Sequence, residues 1–182
     1  MPTTANMAKV NGIVISGAPA VSDAHTLIAT ATASSSATLS FVLGLDSLYD
    51  AYEFRFNNMH PATDSVNFGF QVNAVGQSGF NETITSTAFN AHLRENDSGS
   101  TLGYQTSSDQ SQGTAYQRIG SRATGNDNDQ ATSGILTLYA PSSTTYVKHF
   151  TSNGNGAHSD DYTLTMPTAG YINTTSAIDE IS

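Results

Sequence analysis

Cysteine, charge and long apolar runs are all scarce or missing in this sequence of 182 residues. The chain has no cysteine, which excludes disulfides, thiol catalysis and zinc–thiolate sites. Charged residues make up 12% of the chain, about half of their usual share. No apolar run approaches the roughly 20 residues that span a bilayer. We therefore expect a protein that is not inserted in a membrane and is stabilised by packing alone.

The few charges are mostly negative. Six Lys and Arg stand against 15 Asp and Glu, so the formal net charge is −9. A surface of that sign repels phosphate backbones and anionic lipid, which argues against a nucleic-acid partner. Residues 1–6 lack the basic and apolar regions of a secretory signal, so we expect synthesis in a cytoplasm without export.

Alternation of apolar and polar residues is the dominant pattern. Aromatic and aliphatic residues occupy every second position in residues 39–43, 52–56, 66–72 and 162–166. Residues 134–140 are largely apolar on both faces, which predicts a central strand. Ser, Thr and Asn replace the missing charge, and these residues suit strands and turns better than helices.

Turn sequences separate these segments at short intervals. Asn153-Gly154-Asn155-Gly156 predicts a turn between two strands. Residues 96–128 are polar and glycine-rich, which predicts exposed loops or weak edge strands. Short strands with Gly, Asn and Pro between them indicate a sandwich or barrel. We predict an all-β, antiparallel β-sandwich over residues 23–182, preceded by an N-terminal arm of residues 1–22.

Catalytic residues cannot be assigned from the sequence. It contains neither a Gly-x-Ser-x-Gly nor a His-Glu-x-x-His motif. His158-Ser159-Asp160-Asp161 brings catalytic residue types together in the sequence. Adjacent residues of a strand or turn point apart, however, so a solvated turn is the preferred interpretation. The sequence predicts a non-enzymatic protein without a cofactor.

A calcium loop is a weak possibility in residues 125–130, where Asp127 and Asp129 concentrate oxygen donors. The segment departs from the EF-hand pattern, because Ala131 stands where an oxygen donor is needed. The competing interpretation is a turn, since Asn and Asp tolerate left-handed backbone conformations. We expect no metal here.

Tyrosines in polar surroundings could contact a sugar. Tyr104, Tyr116 and Tyr171 have amide side chains as near neighbours in the sequence. Sandwich proteins bind sugars by stacking them on exposed aromatic rings beside hydrogen-bonding groups. A receptor- or glycan-binding module of adhesin type is therefore the alternative function, and a tyrosine at a sheet edge is the plainer interpretation.

Four segments resemble structural proteins of tailed, marine-type bacteriophages: residues 7–13, 52–61, 64–72 and 172–181. The first is similar to a Lys-Val-Asn-Gly-Ile opening, and the second and third to a strand, an Asn-rich turn and a Phe-x-Phe-Gln-Val strand. The resemblance implies a jelly-roll or concanavalin-like sandwich. It also implies a virion location, as a tail fibre, tail-associated or capsid-decorating protein.

The resemblance further implies the partners. These are other copies of the chain, with a trimer favoured, other virion proteins and a host-surface glycan. The arm, with Lys9, Val10, Asn11, Gly12 and Ile13, would lie on a neighbouring subunit and help assembly. The similar proteins run on into a further strand pair where this sequence stops at Ser182. Either the sequence is truncated or a neighbour supplies the missing strand pairing.

Overall fold

The computed structural model describes Asn6–Lys9, Val14–Gly17 and residues 25–182. The strands in this part of the chain are β1 (Asn6–Lys9), β2 (Val14–Gly17), β3 (Ala51–Met59), β4 (Gly69–Phe70), β5 (Val72–Ala74), β6 (Ile84–Arg94), β7 (Ser100–Tyr104), β8 (Gln117–Arg118), β9 (Thr132–Tyr139), β10 (Lys148–His158), β11 (Tyr162–Thr165), β12 (Thr168–Ile172) and β13 (Ile178–Ile181). None of the described residues forms a helix that could cross a bilayer. The all-β prediction is confirmed.

Seven strands form one large antiparallel sheet. β7 lies at one edge, followed by β6, then β11 and β12, then β10, β9 and β3. β11 and β12 lie end to end between β6 and β10, since both pair with both neighbours in a constant register. Pro167 stands in the gap between them, where its missing N–H costs the ladder one donor.

The large sheet has one buried face and one open face. Even-numbered residues point inward in β6, in β9 to β12 and in β3 as far as Phe56, as the burial pattern of β10 illustrates from Lys148 to His158. Odd-numbered residues of the same stretches point outward and are exposed or half-buried. An irregularity in the register between Phe56 and Met59 ends the alternation in β3, and Met59 packs against the core. This alternation follows from the two-residue period of a strand.

Short strands cover the inner face of the large sheet. β4 pairs with β8, β5 pairs with β13, and Phe41 pairs with Ile181 on the other side of β13. Phe70 on this second layer packs edge to face on Phe150 of β10, with ring centroids 5.0 Å apart. The two layers therefore share one apolar core. The jelly-roll connectivity of these layers stays a prediction.

The predicted turn at residues 153–156 is wrong, because these residues lie inside β10. Gly154 and Gly156 face inward, where a chain segment at Gly120 and Ser121 crosses the strand closely. Gly154 leaves room for the backbone of Gly120, which itself has a φ of 76°. Glycine stands at these positions because a distant segment packs closely against the strand there. The chain does not reverse its direction at these residues.

Two further sequence predictions differ from the structure. Residues 39–43 do not form a strand with one buried face, since Phe41 is 8% exposed and Leu43 is 82% exposed. The alternation over residues 66–72 places Gln71 on the face opposite Phe70 and Val72, away from the apolar side chains. Gln71 is nevertheless fully buried, and its side chain donates to the carbonyls of Glu82 and Thr114. A buried amide is tolerated because these acceptors satisfy it.

The last strand does not need a neighbour to complete its pairing. β13 pairs with β5 on one side, and Phe41 exchanges both backbone hydrogen bonds with Ile181 on the other. The open edge that the sequence suggested at residues 178–181 is therefore occupied within the chain.

The predicted arm is only partly described. β1 and β2 pair antiparallel, with Lys9 opposite Val14, which agrees with a hairpin-like piece. Residues 10–13, with Val10, Asn11, Gly12 and Ile13, lie outside the described residues. The arm boundary at residue 22 and its role in assembly stay predictions.

Candidate assembly surface

A hairpin of β6 and β7 forms one edge of the large sheet. The Arg94 N–H donates to the Gly99 carbonyl at 3.0 Å, which closes the reversal between the strands. Asp97 has a φ of 56°, and the Asn96 side chain accepts from the Ser98 N–H at 3.0 Å. Asn and Asp suit such positions because they tolerate the left-handed region and bond their own turn. Local turn chemistry thus places β7 alongside β6.

Four large apolar side chains stand on the outer face of this hairpin: Phe89, Leu93, Leu102 and Tyr104. Their exposed fractions are 48%, 46%, 82% and 47%. The Phe89 and Tyr104 rings contact edge to face, with centroids 5.4 Å apart. Contiguous exposed apolar groups are typical of interaction surfaces. We call these four residues the hairpin patch.

The strands that surround the hairpin patch carry no charged side chain on their outer face. The outward residues of β6 and β9 to β12 are Thr, Ala, Ser, Asn, Phe, Leu, Ile, Tyr and one His, without a Lys, Arg, Asp or Glu. β7 itself reads Ser-Thr-Leu-Gly-Tyr. At the far edge of the sheet, in contrast, β3 carries an ion pair between Glu53 and Arg55. A broad uncharged face thus belongs to a chain whose net charge is −9.

The hydroxyl of Tyr104 is held at the border of the patch. It donates to the Asp109 carboxylate at 2.6 Å. This hydrogen bond raises the pKa of Tyr104 above its ordinary value, because the carboxylate favours the protonated phenol. The bond helps to hold the ring beside Phe89, while the residue as a whole stays about half exposed.

The three tyrosines predicted as sugar contacts do not meet. Tyr104 lies opposite Phe89, while Tyr171 lies opposite Thr85 on the other side of β6. Four residues along the strand and two strand spacings across correspond to about 16 Å between them. Tyr116 precedes β8 in the covering layer. A single sugar ring bound at Tyr104 would therefore not reach Tyr171.

The segment His158–Asp161 contains the turn that the sequence favoured. His158 is 5% exposed and stacks on Tyr162 at 4.0 Å between centroids. Its Nδ1 accepts a hydrogen bond from the Asp160 N–H at 3.0 Å, which places the proton of the neutral ring on Nε2. Burial lowers the pKa of His158. The ring is therefore a neutral packing element that fixes the turn into β11.

The calcium candidate is a closed turn. The Gln130 N–H donates to the Asp127 carbonyl at 2.9 Å, and the Gln130 side chain accepts from the Asp127 N–H at 3.2 Å. Asp127 and Asp129 are both exposed. In residues 25–182 and the two N-terminal strands, no three His, Cys, Asp or Glu are grouped as metal ligands. The geometry agrees with the turn interpretation.

Sequence reasoning missed the hairpin patch and one buried cation. Leu102 lies in residues 96–128, for which the sequence predicts exposed loops or weak edge strands, and that pattern does not single out Leu102. Lys148 is fully buried, and its ammonium donates to the carbonyls of Tyr146 and Thr174 at 2.9 and 3.1 Å. Burial lowers the pKa of Lys148, with the Glu82 carboxylate acting in the opposite direction. Lys148 is two residues from Phe150 in the same predicted strand, so the alternation of the strand indicates that both side chains share one face.

Comparisons with protein-family models, with curated proteins and with solved structures found no match.

Proposed function

We propose that this chain is a non-enzymatic structural protein that associates with copies of itself, as a component exposed on a bacteriophage particle. The observation that carries the proposal is the uncharged outer face of β6, β7 and β9 to β12, with the hairpin patch at the edge of the sheet. The resemblance of residues 7–13 and 172–181 to phage structural proteins supports the particle location.

Charge explains why an uncharged face favours association. Two copies that each carry nine excess negative charges repel one another over most of their surfaces. A contact at the β7 edge of the hairpin brings no charged side chain of β7 against another. It also removes Leu102 from water, which stabilises association at about 25 cal/mol per Å² of apolar surface. Repeated weak contacts of this kind hold a particle by avidity.

Self-association is tested by measuring the molecular mass of the protein in solution. The full chain is measured by light scattering with size separation across a hundredfold range of concentration. We expect a defined oligomer whose share grows with concentration by mass action. The outer face of β6 and β7 carries no charge, so this mass should not fall when the ionic strength is raised. A monomer at every concentration refutes the self-association.

Particle location needs a separate measurement. We expect the chain in purified phage particles by mass spectrometry, and antibody labelling on intact particles. Its presence in the infected cell without any in the purified particles refutes the virion role.

A second candidate function rests on the open ring of Tyr104. An exposed aromatic beside a carboxylate, here Asp109, is an arrangement that stacks and hydrogen-bonds sugars. As a receptor- or glycan-binding module, the chain should bind a glycan saturably, and Tyr104→Ala should abolish the binding. The matched control is Tyr139→Ala, another exposed tyrosine on the same face at the far side of the sheet.

A further inference from the structure

The free hydrogen-bonding groups of β7 follow from the register of the hairpin. The Arg94 N–H donates to the Gly99 carbonyl, and the Gln105 N–H donates to the Ala88 carbonyl. Bonded and non-bonded pairs alternate along an antiparallel ladder. Two residue pairs therefore exchange backbone hydrogen bonds between β6 and β7: His92 with Thr101, and Asn90 with Gly103.

The other residues of β7 direct their backbone outward. Ser100, Leu102 and Tyr104 have their N–H and C=O groups on the side away from β6, and no described residue pairs with them there. Their side chains lie on the outer face of the sheet, level with Phe89 and Leu93. One edge thus offers unpaired backbone groups and apolar side chains together.

Edge strands usually carry a device that blocks strand addition. Lysine, proline, an inward charge or a covering segment serve this purpose. β7 has none of these, since its sequence is Ser-Thr-Leu-Gly-Tyr and its outer side is open in the described structure. The opposite edge is different, because β3 carries Glu53 and Arg55.

We infer that β7 pairs antiparallel with β7 of a second copy of this chain across a two-fold axis at Leu102. The inference rests on the self-association proposed above and names its contact. Leu102 exchanges both backbone hydrogen bonds with Leu102 of the second copy, and Ser100 does so with Tyr104 of that copy. The two large sheets become one continuous sheet.

The symmetric register suits the side chains. The two Leu102 side chains meet at the axis, and each Tyr104 stands opposite a Ser100, so no two large rings collide. No charged residue of either β7 enters the contact, although each copy is acidic overall. A strand that pairs with itself gives an isologous contact, which produces a dimer or an assembly of dimers.

A single cysteine tests the register directly, because the natural chain has none. Cα atoms of a bonded antiparallel pair lie about 5.5 Å apart, within the range of a disulfide. Leu102→Cys should therefore form a disulfide-linked dimer in the full chain under mild oxidation. Leu43→Cys is the matched control, since Leu43 is also 82% exposed but lies outside the sheet. It should remain largely unlinked.

Two substitutions at the same position test the association without a covalent bond. Leu102→Pro removes an N–H that points to solvent, which an edge strand tolerates, and Leu102→Lys sets two like charges at the axis. Each should weaken the dimer roughly 100-fold or more. Leu43→Lys should leave the mass unchanged. Urea midpoints close to that of the natural chain show that each variant is folded.

The outcomes separate this inference from the proposed function. An even-numbered oligomer that Leu102→Pro dissociates, with cross-linking at residue 102 alone, supports both. A trimer, or an oligomer that both Leu102 variants retain, overturns the β7 pairing and leaves self-association standing. Loss of the oligomer in Ile13→Asp, with none in Leu102→Pro, also overturns it and assigns assembly to the arm. A monomeric natural chain overturns both proposals.

Discussion

Gly154→Ala tests the most consequential packing contact in the chain, the crossing of β10 by the segment at Gly120. A Cβ on Gly154 would overlap the Cα of Gly120 and would lie 3.1 Å from the Ser133 carbonyl oxygen. Both neighbours are backbone atoms, so no side chain can rotate away. Overpacking of a buried site costs about 1–3 kcal/mol, and a clash with backbone on two sides should reach the upper part of that range.

The expected loss in the free energy of unfolding of Gly154→Ala is large enough to measure by standard unfolding experiments. A destabilisation of about 2–3 kcal/mol corresponds to a fall in Tm of roughly 4–12 °C for a chain of this size. Urea unfolding followed by far-ultraviolet circular dichroism gives the free energy of unfolding, and an unchanged slope shows that the denatured state is the same. Glycine in a flexible turn would give a much smaller effect.

Gly103→Ala is the matched control for this experiment. Gly103 is also a strand glycine, but a Cβ there would meet no atom within 4 Å. Alanine should be neutral or stabilise the strand by about 0.5–1 kcal/mol, because it has less backbone freedom to lose. If Gly154→Ala is as stable as the natural chain, the close crossing is refuted. The prediction of a turn at residues 153–156 would then be favoured again.

The other predictions concern the two faces of the sheet and pH. Leu136→Ala, at an inward position of β9, should cost about 2–5 kcal/mol, while Ile135→Ala on the outer face should cost under about 1 kcal/mol; equal urea midpoints would contradict the sidedness. Burial lowers the pKa of His158, so below its ordinary value of 6.5 the unfolded chain binds a proton that the folded chain does not. Stability should therefore fall as pH falls through 6.5, and His158→Gln should reduce the change in urea midpoint between about pH 7.5 and 5.5. His25, whose pKa burial also lowers, keeps part of that slope in the variant. An unaltered slope in His158→Gln would refute the role of the buried ring.

The alternation of apolar and polar residues correctly predicted which side chains are buried where a strand has one buried and one open face. Tyr52, Phe54 and Phe56 are all nearly fully buried, and so are Tyr162 and Leu164. A period of two residues is enough for such predictions, because each side chain follows its own backbone. The same rule wrongly predicted that Leu43 is buried. The chain bends at this residue and does not form a strand there, so the two-residue period does not apply.

The candidate surface was only partly visible in the sequence. The sequence predicts exposed loops or weak edge strands in residues 96–128, and β7 is an edge strand within that segment. Which of its residues keep free backbone groups depends on the pairing with β6, a contact that the composition of β7 does not encode. The three tyrosines were chosen for their polar neighbours, and the structure places them apart because neighbours in sequence belong to different strands.

The sequence by itself determined that the chain is all-β, that it is acidic, and which residues of its regular strands face the core. These properties depend on composition and on a two-residue period, both of which are local. The tertiary structure decided that Gly154 lies under a crossing segment, that β13 is paired on both sides and that β7 is an open, uncharged edge. Each of these depends on which distant segments meet, and such pairing is settled by the packing of the whole chain.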